Sequence, residues 1–550
     1  MPAILSSLPR IVTKNNGFII LTALFVMLTG NFSLFQRLLE IYPPAHGHLL
    51  FLGSLAVFFS CLTILLFLWL NHGRATKWVL VLLLLLASQA AYYMDTFGVV
   101  IDSVMLDNIM QTDMHEAVGL LSFSLLWRTL LFGLIPAWLV LKFAPKPQRF
   151  GIELKSKLML TLLIVAVLVV NILPFNGHYS SFIREHKTTR YYANPNYFTY
   201  SLIKYAHERL KSTDLIPLEA TATDATEVGP VERTELVILV VGETARADRF
   251  SLNGYHRPTN PLLAKEDVVS LKNVSSCGTS TGESVPCMFS VLKRKDFTRE
   301  KASHHANILD VLFEHGVQIL WRDNNSDSKG VAARMVYENF KSPTLNPVCD
   351  DECRDIGMLH GLDDYIKLRK GKDILIVLHQ MGNHGPEYYR RYPQSFERFT
   401  PVCKNSDLGD CSQEQIDNAY DNAILYTDYF LSQVIQLLKQ YDDQFATAML
   451  YVSDHGESLG EHGIYLHAAP YAIAPREQTH IPAIIWMGKH FDYTTDQLKP
   501  YRDYPFSHDE LFCTLMLAFE LKSHTCESSN ALLLQNLEIH HAEKIQTLGK

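Results

Sequence analysis

The run Leu236-Val237-Ile238-Leu239-Val240-Val241, followed by Gly242-Glu243, decides how the second half of this chain folds. Leucines and β-branched residues in unbroken succession leave no polar face. Such a run reads as a strand buried on both sides, as in a parallel sheet. Similar runs recur at Val317–Trp321, Ile374–His379 and Thr447–Val452, with a further candidate at Ile481–Met487. Helical patterns stand between them, for example over Ile416–Lys439. Alternating strands and helices predict an α/β domain whose mostly parallel sheet is covered by helices on both faces.

Outward from that domain, the first third of the 550 residues is far more apolar than the rest. It holds five candidate spans, roughly 17–37, 47–70, 76–96, 120–141 and 157–175, near the about 20 residues that cross a bilayer as a helix. The first is no cleaved signal peptide, because its apolar run is long and no small-residue cleavage site follows. Basic residues gather on one side: Arg10 and Lys14, Arg74 and Lys77, then Lys142, Lys146, Arg149, Lys155 and Lys157. The loop after the third span instead carries Asp95, Asp102, Asp107, Asp113 and Glu116. This asymmetry puts the N-terminus in the cytoplasm and everything after residue 175 outside it. Arg128 stands inside the fourth span, where a polar groove, a headgroup contact, a snorkel or an ion pair would account for it. Residues 176–231 read as a connector, with Tyr191, Tyr192, Tyr197, Tyr200 and Tyr205 suited to a membrane–water interface and 211–231 as a linker. Residues 1–175 are thus the membrane domain and 232–550 the external one.

Of nine cysteines, Cys61 alone lies in a span. The others fall into near-neighbour pairs, Cys277 with Cys287, Cys349 with Cys353, Cys403 with Cys411 and Cys513 with Cys526. An even set in the external part suits disulfides in an oxidising compartment. A cysteine zinc site would call for paired CxxC motifs, which are missing. A net charge of −8 and no basic stripe give no sign of nucleic-acid binding.

Polar residues cluster just after the strands. Glu243 follows the first, His379 and then Met381-Gly382-Asn383-His384-Gly385-Pro386 follow the third, and Ser453-Asp454-His455-Gly456-Glu457 follow the fourth, with His467 shortly after. Open α/β sheets place ligands at the carboxyl ends of their strands. Carboxylates and imidazoles delivered there together suit a metal, zinc first and manganese as the runner-up. The loop Cys277-Gly278-Thr279-Ser280-Thr281-Gly282-Glu283-Ser284-Val285-Pro286-Cys287 supplies hydroxyls, with Thr281 at or just before a helix N-terminus that favours an anion such as phosphate. A bound metal makes a hydroxyl a competent nucleophile for phosphoryl or sulfuryl transfer. Thr281 is the assigned hydroxyl; Thr279, Ser280 and Ser284 are local competitors by spacing.

The segments Gly242-Glu243-Thr244-Ala245-Arg246-Ala247-Asp248-Arg249, Cys277 to Cys287, Met381–Pro386 and Ser453–Glu457 together resemble the phosphoethanolamine transferases that modify lipid A, the family behind transferable polymyxin resistance. The five-span anchor and external domain match as well. The resemblance implies an alkaline phosphatase/sulfatase-type fold for the external domain. It implies that Glu243, Thr281, Asp454 and His455 hold a catalytic zinc, with Thr281 the nucleophile. His384 and His467 match positions for a second zinc or the phosphoryl group, with His379 close by. Asn325, Ser326 and Lys329 match the region that holds the phosphoethanolamine headgroup. Gly282, Glu283 and His462 depart from the family pattern and touch fine substrate preference.

The expected reaction is transfer of phosphoethanolamine from phosphatidylethanolamine to a lipid A phosphate through a phosphoethanolamine-threonine, by a monomer in a bacterial inner membrane with its catalytic domain in the periplasm. A phosphoglycerol transferase, or transfer to a core sugar, is the alternative within the superfamily. A sulfatase would need a Cys/Ser-x-Pro-x-Arg signature, missing at Thr281. An inactive sensor is opposed by the intact set of four, and a transporter by the scarcity of buried polar residues in the spans.

Overall fold

The computed structural model describes residues 14–44, 48–111, 121–147, 149–211, 218–227, 233–405 and 408–527. Arg10, Asp113, Glu116 and, within the predicted linker, residues 212–217 and 228–231 lie outside them. The chain divides into two units, residues up to 106 with 121–207, and residues 107–120 with those from 208 onward.

Among the described residues of the first unit four stretches are helical, long and apolar enough to cross a membrane: Leu49–Leu70 (α3), Gly73–Phe97 (α4), Phe123–Phe143 (α5) and Phe150–Phe175 (α6). The predicted first span, 17–37, falls on a bent pair of helices that is long and apolar enough when taken together. The pair is Lys14–Thr29 (α1) and Phe32–Ile41 (α2), bent by 61°. The bend has a polar cause. The Asn194 N–H donates to Asn31 Oδ1 at 2.9 Å, and the Asn31 amide donates back to the Asn194 carbonyl at 2.6 Å. Asn194 Nδ2 also donates to the carbonyls of Gly30 and Ala87, at 3.0 and 2.8 Å. Carbonyls at the end of α1 are thereby satisfied without a further helical turn. The same contacts place the start of the predicted connector within the helical unit. Its first helix, Asn176–Glu185 (α7), sets the Tyr179 hydroxyl 2.8 Å from Ser54 Oγ.

Arg128 is an ion-pair residue. It binds Asp95, which also accepts from the Ser33 N–H at 3.0 Å. Directly after Arg128 the helix widens into a π-helical stretch, Thr129–Leu134. Gly133 in that stretch approaches α4 so closely that a Cβ would lie 2.7 Å from Ser88 Oγ.

The second unit is built on an eight-stranded sheet. Its strands are Glu235–Gly242 (β1), Val268–Ser275 (β2), Gln318–Asp323 (β3), Val336–Asn339 (β4), Ile374–His379 (β5), Ala446–Ser453 (β6), His480–Met487 (β7) and Phe506–Ser507 (β8). They lie in the order β8-β2-β7-β6-β1-β5-β3-β4, and β7 alone runs against the rest. Every residue of β1 is buried. Alternate side chains enter two cores, as the period of two in a strand requires. Val237, Leu239 and Val241 pack with helices Thr281–Met288 (α8), Ile308–Glu314 (α9) and Leu511–Ala518 (α11). Leu236, Ile238 and Val240 pack with the long helix Gln413–Lys439 (α10). A Ser412 capping box starts α10, its side chain taking the Gln415 N–H while the Gln415 side chain takes the Ser412 N–H. The disulfides are Cys277–Cys287, Cys349–Cys353, Cys403–Cys411 and Cys513–Cys526, and Cys61 is free and buried.

Candidate metal and nucleophile site

Because β1, β2, β3, β5 and β6 run the same way, their carboxyl ends share one edge of the sheet. Glu243 follows β1 and is fully buried. Its neighbours leave no room: a Cβ on Gly382 would lie 2.8 Å from the Glu243 carbonyl, and Gly382 itself has φ +54°. Only glycine takes that close approach and that conformation cheaply.

Thr281 opens α8, after Ser280 in extended conformation. Its hydroxyl donates to Glu243, 3.0 Å from Oε2 and 3.2 Å from Oε1, and lies 3.4 Å from His455 Nε2. The competing hydroxyls are placed otherwise. Thr279 Oγ1 donates to the Ala469 carbonyl at 2.7 Å, and Ser284 Oγ accepts from the Gly278 N–H at 2.9 Å. Ser280 Oγ is buried and without a hydrogen-bond partner among the described residues. Pro286 stands inside α8, in its second turn.

His455 Nδ1 is 2.9 Å from the Gly456 carbonyl, so that nitrogen carries the proton. The Nε2 lone pair then faces Glu243 Oε1 at 3.2 Å and Asp454 Oδ2 at 3.4 Å. Asp454 Oδ1 accepts the N–H groups of Thr244 and His455, while Oδ2 is buried without a hydrogen-bond partner. Burial, with the Glu243 charge beside it, pushes the Asp454 carboxyl well above the usual range. Burial acts on Glu243 the same way, but the nearby imidazoles, His455 first and then His384 and His467, hold it well below whenever they are protonated. Two dry carboxylates, an imidazole lone pair and a hydroxyl converge here, an electron-rich set that a divalent cation would complete. Ligand atoms of Glu243, Asp454 and His455 all lie within 4.8 Å of one another.

The model of the sulfatase family matches residues 235–521, and that of phosphoethanolamine transferase EptA/EptB matches residues 59–210. Phosphatidylethanolamine transferase Mcr-1 of Escherichia coli is 41% identical over 523 residues, covering 93% of this chain and 96% of the relative. The chain belongs to the phosphoethanolamine transferase family. The integral membrane lipooligosaccharide phosphoethanolamine transferase A of Neisseria meningitidis superposes with a TM-score of 0.89 at 32% identity, over 94% of this chain and 98% of that one. The C-terminal periplasmic domain of phosphoethanolamine transferase EptC from Campylobacter jejuni is 42% identical, with a TM-score of 0.52, over 57% of this chain and 97% of that domain. The family's members are enzymes, and the catalytic unit has both the mostly parallel α/β sheet expected from the strand pattern and the alkaline phosphatase/sulfatase-type architecture implied by the resemblance.

The remaining family positions separate into three places. His384 and His467 stand together, ring centres 5.3 Å apart, and His467 is 4.5 Å from His455 by the same measure. Asn325 enters the centre itself, its amide donating to Glu243 Oε2 at 2.6 Å. Ser326 and Lys329 are half-buried beside it, with Lys329 Nζ donating to the Ser326 carbonyl at 2.9 Å. His379 is grouped with other partners than the two histidines. Its Nδ1 is 2.9 Å from Asp323 Oδ2, which also takes the Trp321 indole N–H at 2.8 Å. Burial works against the imidazolium, yet Asp323 holds the His379 pKa above the usual value. Glu283 is half-buried and His462 is exposed with φ +55°.

The motif Ser453–Glu457 holds one buried carboxylate beside the site that its sequence alone does not single out. Glu457 is fully buried, with Oε2 2.8 Å from His467 Nδ1 and Oε1 taking the Tyr388 hydroxyl at 2.7 Å. It fixes the ring of His467, as carboxylates behind metal-binding or proton-transferring histidines do. The signal was its spacing, two residues beyond His455 in a strand-end loop. His455, Glu457 and His467 form a second group whose ligand atoms lie within 4.8 Å.

Proposed function

We propose that this enzyme transfers phosphoethanolamine from phosphatidylethanolamine to a phosphate of lipid A, with Thr281 as the nucleophile and zinc held by Glu243, Thr281, Asp454 and His455. The observation that carries the reading is the Thr281 hydroxyl, 3.0 Å from a buried carboxylate and 3.4 Å from an imidazole at the N-terminus of α8. Zinc in such a set lowers the hydroxyl pKa and offsets charge developing on phosphorus.

Thr281 Oγ attacks the phosphorus of phosphatidylethanolamine. The bond from phosphorus to the diacylglycerol oxygen breaks, diacylglycerol leaves with a proton, and a phosphoethanolamine-threonine remains. A lipid A phosphate oxygen then attacks the same phosphorus and frees Thr281. Asn325 holds Glu243 in place through its amide. His384 and His467, the latter set by Glu457, receive the phosphoryl oxygens or a second zinc. Ser326 and Lys329 border the headgroup position.

The helical unit sits in a bacterial inner membrane with the N-terminus in the cytoplasm and the catalytic unit in the periplasm, and the chain works as a monomer. An anchored enzyme meets both lipid substrates without extracting either. Capping a lipid A phosphate with an amine lowers surface negative charge and weakens binding of cationic peptides such as polymyxin.

The test is mass spectrometry of lipid A from cells expressing the wild-type chain or Thr281→Ala. A phosphoethanolamine adduct in the first and none in the second is the expected result. An adduct persisting in Thr281→Ala would move the nucleophile to a neighbouring hydroxyl. No adduct with either chain present in the membrane would overturn lipid A as the acceptor.

A further inference from the structure

The nucleophile and the groups it faces come from strands that do not touch. Thr281 follows β2, whereas Asp454 and His455 follow β6, and β7 runs between the two. Strands two places apart in a sheet are separated by about 9–10 Å. The ladder is weakest just where the site needs it. A bulge interrupts β7 between Ile481 and Ala483, and with Ala483 opposite Val452 the residue facing Ser453 is Pro482. A proline has no N–H to give to the Ser453 carbonyl.

His508, on the turn after β8, spans this gap. Its Nε2 is 2.9 Å from the Ser453 carbonyl, and its Nδ1 accepts the Cys277 N–H at 3.0 Å. A carbonyl only accepts and an amide N–H only donates, so the ring is a neutral imidazole in one tautomer. It is 2% exposed. Both of its anchors lead straight into the site. Cys277 starts the disulfide-closed loop that presents Thr281. Ser453 precedes Asp454, and its hydroxyl donates to the His455 carbonyl at 2.9 Å.

We propose that His508 is a positioning residue that sets the Thr281 loop, at the end of β2, in register with Asp454 and His455, at the end of β6, across the reversed strand. The proposal rests on the reading of Thr281 as nucleophile. Burial supports the neutral ring, holding the His508 pKa down to about 4.

The experiment uses the full chain in lipid-detergent micelles, fed phosphatidylethanolamine without acceptor, and follows the Thr281 adduct by peptide mass spectrometry. His508→Phe keeps the bulk and loses both hydrogen bonds. His508→Asn keeps an acceptor near Cys277 and cannot reach Ser453. His508→Gln carries both a donor and an acceptor. Phe512→Leu, in the adjacent core helix, serves as a control for lost packing. Displacing reacting groups by about an ångström costs on the order of 10²-fold in rate. The expected outcome for His508→Phe is a fall of that size in the adduct-forming rate, with half-saturation by lipid and zinc per chain both within about threefold of wild type. His508→Asn should lose at least about tenfold, and His508→Gln should recover part of the loss. Wild-type rates in His508→Asn would overturn the proposal, even if His508→Phe failed to fold. So would an equal rate loss in Phe512→Leu at a matched drop in Tm. A wild-type chain that forms no Thr281 adduct would overturn the nucleophile reading, and the role of His508 with it.

Discussion

The sheet has two regions of different character. The five contiguous parallel strands β6-β1-β5-β3-β4 hold the charge, because Glu243, Asp454, His455, His379 and Asp323 all leave from them. The margin beyond, β7, β2 and β8, holds the hydroxyl, Thr281, and the residue that registers it, His508. Ordinary ladder bonds fix the first set relative to one another. The second set is joined to the first through the reversed β7, whose ladder with β6 ends at Ala483 opposite Val452, and at the site itself by side-chain and loop contacts, such as the Ala468 N–H donating to the Thr279 carbonyl at 2.6 Å. The proposed cation site can thus exist without a correctly placed Thr281, and each can be damaged separately.

The sharpest break is in the margin. Thr281→Ala should reduce transfer by about 10⁴-fold or more, as loss of a catalytic nucleophile does. Because three proposed ligands remain on the block, zinc measured by elemental mass spectrometry should stay bound. The reverse break is in the block. Glu243→Gln or Asp454→Asn should strip the metal and cost about 10²–10³-fold in rate, the range for losing preorganised charge stabilisation. Chelation of the wild type should reproduce that loss, and added zinc should reverse it. Glu457→Gln should sharpen the comparison further. It loosens His467 and should cost about 10–100-fold, with the zinc at Glu243 retained.

Smaller effects belong to stability. Replacing Cys277 and Cys287 together by serine frees a loop spanning ten residues, and should lower stability by about 2–3 kcal/mol in thermal unfolding. At the far edge of the block Val336 is 54% exposed, and Val336→Thr should change stability by no more than about 0.5 kcal/mol.

The two regions also differed in how well they could be read. The strands foreseen over Val317–Trp321, Ile374–His379 and Thr447–Val452 are present within two residues at every end, because full burial on both faces writes an unbroken apolar run. Their polar successors announced the site for the same reason: an abrupt Glu243 or Asp454-His455 after such a run has few structural uses. Strand β2 was not foreseen. Its Lys272 is half-buried and its Asn273 exposed, so the sequence Val268–Ser275 carries no clean period. The reversal of β7 is equally silent, since Ile481–Met487 is as apolar as its parallel neighbours. His508 gave no signal, because its meaning lies in two backbone groups brought from residues 277 and 453. In the helical unit the bend after α1 was hidden in the same way. Asn31 looks like an ordinary polar interruption until Asn194, far along the chain, supplies its partner.

Each disulfide joins a cysteine to the next one along the chain, with separations of 10, 4, 8 and 13 residues. Eight cysteines allow 105 complete pairings, and this is the one that simple order of appearance selects. As the chain enters an oxidising compartment from its N-terminal side, each thiol meets its partner before the next pair arrives. Correct cross-linking then asks nothing of the order in which distant parts of the sheet assemble.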